Sequence, residues 1–211
     1  MQLTTALSGA MHMSQSIRDR AGVADIISLE EHVIPVLSES LEIEIELHQS
    51  DWTPQHVKGS LKRFPDRAVI YYPSSFNHCN RRFVVAKELA HLIDTWGEDV
   101  DTNTVQGAVD LVSYITNPVT VSDDANQQLS RIIGAEESAE LYALELLLPD
   151  AQRQQIALEG LGLRQTAERY KVPVSKVELY LHPKYAEFMR LTRRLVDNSV
   201  PTPLDLSLIH I

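Results

Sequence analysis

The chain of 211 residues has a single cysteine, so no intramolecular disulfide can form and a disulfide scaffold is excluded. Long apolar runs are missing too. The longest, LYALELLLP at residues 141–149, falls far short of the ~20 residues a membrane-spanning helix needs. The opening MQLTTALSGAMHM lacks the basic start of a secretory signal. No internal repeat or low-complexity tract is visible. These absences point to a soluble cytoplasmic protein with no membrane partner. Positive charge is also in deficit: 19 Lys and Arg against 29 Asp and Glu give a net charge of −10. That balance argues against a protein whose whole surface grips phosphate backbones.

What is present is an ordinary globular composition, 44% hydrophobic and 23% charged. The length suits one domain, or one domain with a small appended module. Residues 1–24 read as a flexible N-terminal segment, 25–150 as the main domain, and 151–211 as a C-terminal helical segment completing it. Charge is unevenly spread. Residues 164–194 hold 8 bases against 3 acids, a local excess of +5.

Residues 1–14 read as a loose terminus, and a helical segment is expected after them up to about Ser40, with Ser28 and Glu31 at capping-box spacing and Pro35 as a bend or break. LEIEIEL (Leu41–Leu47) alternates apolar and acidic residues, the pattern of a half-buried strand. Its three glutamates read as a solvated face, since one flat strand cannot enclose a cation. GSLKRF and RAVIYYP flank Pro65-Asp66, a good turn pair, and complete an expected three-stranded antiparallel sheet. The loop SSFNHCN follows, with Asn77 or Asn80 as a cap for the next helix.

That helix, Arg81–Trp96, reads RRFVVAKELAHLIDTW and is apolar around most of its circumference, so it should be buried. Yet Lys87, Glu88, His91 and Asp94 share one stripe. Burying charge without partners is costly, so the stripe requires an explanation. Residues 97–125 read as a loop or insertion, with a short helix near Ala108–Ile115. A second long helix is expected from Asn126 to Leu148, stopping before Pro149. It carries Glu136 and Glu140 at i, i+4.

A metal-dependent hydrolase often builds its centre from HExxH on a helix, where two imidazoles one turn apart face one cation and the Glu activates its water. Residues 87–91 read KELAH: Glu88 and His91 hold the base and second-ligand positions, and Lys87 stands in place of the first His. RRFVVAKELAHLID resembles the RFTLAHELGHLLL segment of the ImmA/IrrE family of zinc metallopeptidases. Downstream, EESAELYALELLLP resembles that family's ExxANxFAxxLLMP, with Ala139, Tyr142, Ala143, Leu146, Leu147 and Pro149 matching and Glu140 replacing the usual Asn. The resemblance covers about residues 25–182.

The resemblance implies an α+β fold, a zincin-like small antiparallel sheet packed on a buried active-site helix with further helices. It implies catalysis by Glu88, and metal ligation by His91 and Glu136. It also implies a regulatory role: removal of a protein partner such as a transcriptional repressor, in phage or other mobile-element or stress-gene regulation. Lys87 divides the reading. A protonated lysine cannot ligate a metal. Either its cation stands in for zinc between Glu88 and Glu136, giving a pseudo-peptidase, or zinc binds through His91, Glu136 and a substitute such as Asp94 or His78. Asp94 is otherwise placed to orient His91, and Tyr142 to approach the site or pack in the core. His78 and Cys79 are adjacent and poorly placed for a nucleophile pair.

Residues 160–182 have the outline of a helix-turn-helix, with Ser175 and Glu178 at capping-box spacing in the second helix. The family often carries a similar stretch here. DNA contact would use Arg164, Arg169, Lys171 and Lys176. The alternative is a helical pair that completes the domain or docks a protein.

Overall fold

In a computed structural model of the chain, residues 3–51, 58–93 and 136–185 are described. They form an α+β fold. Helix α1 (Leu3–Ala21) leads through a π-helical turn (Leu29–Val33) into α2 (Ile34–Leu41). Strands β1 (Glu44–Ser50), β2 (Ser60–Arg63) and β3 (Arg67–Pro73) follow, then α3 (His78–Ile93). Helix α4 runs over residues 136–147. Three shorter helices come after it: α5 (Asp150–Glu159), α6 (Leu163–Tyr170) and α7 (Val174–Tyr180). The expected end of α3 at Trp96, the 97–125 loop with its short helix, the start of α4 and the tail PTPLDLSLIHI lie outside the described residues. No helix among the described residues is long and apolar enough to cross a membrane.

Residues 1–24, expected as a flexible segment, contain α1. Ala10, Met13 and Ile17, at spacings of three and four, are buried in the core. Ser14 Oγ donates to the Glu145 carbonyl at 2.6 Å. The buried Arg18 donates to the carbonyls of Asp25 at 2.6 Å and Leu146 at 2.9 Å. Burial, with help from the nearby Arg82 charge, lowers the Arg18 pKa to about 10. The stripe was hard to see because its residues include small ones and the flanking positions are mildly apolar.

Pro35 sits in the first turn of α2, where no backbone N–H is needed. Ser28 Oγ accepts from the Glu31 N–H at 3.2 Å, so the expected cap forms on the π-helical turn. Helix α2 ends at Glu42, which takes a left-handed conformation (φ 54°). The alternating strand therefore begins at Glu44, and the three glutamates do not share one strand face. Glu46 is met by His48 at 2.7 Å and Arg67 at 3.6 Å.

The strand order is β1-β3-β2. β2 and β3 form the expected antiparallel hairpin, with Leu61 opposite Ile70. β1, however, pairs parallel with β3, Glu44 opposite Arg67 and Leu47 opposite Ile70. The sheet is mixed, and the all-antiparallel expectation is corrected. Alternation marks a half-buried strand but carries no direction. Consecutive strands β1 and β2 lie at opposite edges, with β3 between them.

Helix α3 packs on β3 and β2. Its Phe83, Val85, Ala86, Leu89 and Leu92 join Ile45, Ala68 and Ile70 from the sheet in one core with Ala143, Leu144, Leu146 and Leu147 of α4. α4 stops before Pro149, as its sequence requires.

Candidate functional site

Because α3 is buried on nearly every side, its polar stripe has to find partners inside the protein. Lys87 Nζ donates to Glu136 Oε2 on α4 at 2.6 Å and lies 3.8 Å from Glu88 Oε1. His91 Nε2, one turn on, is 3.1 Å from Glu136 Oε1. One carboxylate thus spans the lysine and the histidine. Glu88 is buried (5% exposed), Lys87 is mostly covered, and Glu136 keeps about half its side chain exposed (52%). The structure brings Lys87, Glu88, His91 and Glu136 together, as the two motifs imply. Asp94 lies outside the described residues.

The electrostatics follow from this arrangement. Burial works against the Lys87 ammonium, but Glu88 and Glu136 outweigh it and raise its pKa. Burial raises the Glu88 pKa, opposed in part by Lys87 and His91. Burial also works against Glu136, yet His91 at 3.1 Å and the charge of Lys87 prevail and hold its pKa at about 2. The cluster therefore keeps a firm ammonium–carboxylate pair beside a carboxyl that resists ionisation.

A zinc centre needs three deprotonated protein ligands around one point. His91 and Glu136 supply two. The third corner is filled by an ammonium, which has donors and no lone pair. Among the described residues, no three His, Cys, Asp or Glu side chains gather as a metal site. Among the described residues, this point is faced by one imidazole, one carboxylate and an ammonium that cannot itself ligate a cation.

Two contributors escaped the sequence reading. Gly59, just before β2, lies against the stripe: a Cβ there would fall 2.7 Å from Glu88 Oε1 and 2.5 Å from Val84 Cγ1. A glycine directly before a strand was the available signal. Arg63 of β2 donates to the His91 carbonyl near the end of α3, a cation on a helix C-terminus.

Other candidates are placed elsewhere. His78 and Cys79 begin α3, so the proposed substitute ligand His78 is thirteen residues, or about 20 Å of helix, from His91. His78 does not join this site. Tyr142 is half-buried against the core, its hydroxyl beside Gly9 of α1.

The basic segment folds as two short helices, α6 and α7, around a left-handed Lys171 (φ 54°). Pro173, not Ser175, precedes α7, and no side chain caps that helix. Of the DNA-contact candidates, Arg169 donates to Glu159 at 2.8 Å and Lys176 to Glu140 at 2.6 Å. Lys176 Nζ also lies 4.9 Å from the Phe83 ring centre. Arg164 is exposed. The outward face of α7 carries Val174, Ser175, Glu178 and Leu179, with no cation to meet a phosphate.

No family model matches the chain, and no curated protein matches it. Among solved structures, a Mycobacterium tuberculosis transcriptional regulator is similar over 80% of this chain, with a TM-score of 0.50 and 16% sequence identity. The matched region is 44% of that regulator, so this chain corresponds to less than half of its length. At that identity the likeness is one of fold.

Proposed function

We propose that the chain is a regulatory protein of the ImmA/IrrE type whose zincin-like centre holds a lysine where a metal would sit. It binds a protein partner such as a transcriptional repressor and does not cut it. One observation carries this reading: Lys87 Nζ stands 2.6 Å from the carboxylate that the family resemblance assigns as a metal ligand. The ammonium neutralises Glu136 and faces Glu88, so the site keeps its charge balance without a metal. A neighbour described as a transcriptional regulator fits a regulatory role. The pairing of Arg169 and Lys176 with acids, and the acidic and apolar outer face of α7, favour a protein partner over DNA.

Zinc content of chelator-free protein tests the reading, measured on the wild type beside Lys87→His. The wild type should carry no stoichiometric zinc, and Lys87→His should acquire it by restoring the missing ligand. Near-stoichiometric zinc in the wild type overturns the substitution of metal by lysine.

A further inference from the structure

At the far end of α3 from the Lys87 cluster lies a separate cleft of about 220 Å³. Its walls come from the 26–32 segment, the first turns of α3, and the turn between α6 and α7. Three cations line it from two of these walls: Arg81 and Arg82 of α3, and Lys171. Glu30 and Glu31, both exposed, line it as well.

Arg82 is the informative residue. It is 93% buried (7% exposed). Among the described residues its guanidinium makes one hydrogen bond, to the Ile27 carbonyl at 2.5 Å, and its buried Nε finds no partner. No carboxylate lies within ion-pair distance of it among the described residues. A buried guanidinium is ordinarily matched by a carboxylate or phosphate. Arg81 reaches Glu30 only at 3.9 Å, and Lys171 pairs with no acid among the described residues. His32 Nδ1 accepts from the Ser28 N–H at 2.9 Å, so in the neutral ring the proton sits on Nε2, another donor at this cleft. Burial lowers the His78 pKa, and the charges of Arg81, Lys171 and Arg82 lower it further against the opposing pull of Glu30.

We propose that this cleft binds a small phosphate monoester, its phosphate held by Arg81, Arg82 and Lys171. Three separate cationic donors suit three phosphate oxygens, whereas a carboxylate offers two. The volume exceeds that of a ~150 Å³ cavity able to take up benzene, enough for a phosphate with a pendant of a few carbons. Ile26, partly exposed at the cleft, supplies an apolar contact for that pendant. The cleft stands independently of the Lys87 reading.

Calorimetric titration of the full chain with glycerol 3-phosphate, at matched chloride ionic strength, tests the proposal. Saturable one-to-one binding is expected. Arg81→Gln and Lys171→Asn should each weaken it at least about tenfold, the loss of a hydrogen bond to a charged group. Asn tolerates the left-handed backbone at 171, so both variants should keep the wild-type Tm without ligand. Three results overturn the proposal: no saturable binding at millimolar ligand, binding unchanged in both variants, or propionate binding as tightly as the phosphate ester.

Discussion

At the scale of single residues, the site is governed by how an acid is kept inside a protein. Glu88 is buried, and its nearest cation is 3.8 Å away. Glu136 lies at the surface of the cluster, bridging Lys87 and His91. Gly59 completes this arrangement by leaving room beside Glu88. Gly59→Ala would place a methyl 2.5 Å from Val84 Cγ1 and 2.7 Å from Glu88 Oε1, so the branched Val84 or the strand itself has to shift. Overpacking of this kind costs about 1–3 kcal/mol. Urea denaturation should show that loss as a lower midpoint at unchanged slope; a wild-type midpoint would mean that strand β2 moves away freely. The stripe of Lys87, Glu88 and His91 was legible because charge on a buried helix stands out. Its distant partners were legible only through the second motif, and Gly59 and Arg63 hardly at all. Spacing along one element says nothing about which other element closes over it.

At the scale of elements, the helices were easier to read than the directions of the strands. The α3 pattern and the stop of α4 at Pro149 are local signals, and both appear where the chain places them. The parallel pairing of β1 with β3 depends on what the rest of the chain packs around the sheet, which no alternation encodes. The part of α1 before residue 15 is not legible, because a short stripe such as Ala10, Met13 and Ile17 becomes meaningful only once the rest of the core covers it. The link between α4 and α5 was missed for a similar reason: LELLLPDAQR reads as an apolar run with scattered charge. In the fold, Glu145 is 1% exposed and accepts from Arg153 at 2.5 Å, with Asp150 3.4 Å from the same guanidinium. Arg153 also donates to the Leu148 carbonyl at 2.7 Å, tying the end of α4 to α5. Removing one side of such a pair leaves a desolvated charge. Arg153→Met should therefore destabilise the protein by about 3–5 kcal/mol, while the double change Arg153→Met with Glu145→Leu should recover much of that loss. Equal instability of the single and double variants in chemical denaturation would show that the backbone contacts, not the charge pair, hold the junction.

At the scale of the whole molecule, the net charge of −10 conceals acids with opposite responses to pH. Burial raises the pKa of Glu88 and of Glu145, against the pull of Lys87 and Arg153 respectively. For such acids the folded state favours the protonated form, so mild acidification from neutrality does not weaken the fold through them. Glu136 has the opposite sign. Its folded pKa is about 2, below the ~4.3 of an unfolded glutamate. Its contribution is complete above about pH 4.3 and disappears as the pH falls through about 2. The acid limb of the stability curve should thus lie low, between about pH 4.3 and 2, and should depend on the cation that depresses Glu136. Lys87→Met removes that cation. His91 Nε2 is still 3.1 Å from Glu136 Oε1, so the limb should shrink and shift upward without vanishing. The same substitution removes the charge that restrains Glu88, so the variant should also lose stability on going from pH 5 to pH 8, relative to wild type. Thermal unfolding from pH 2 to 8 reads both effects in one series. Parallel Tm profiles for wild type and variant would show that Lys87 carries no electrostatic role in the site, and that Glu136 is held down by His91 alone.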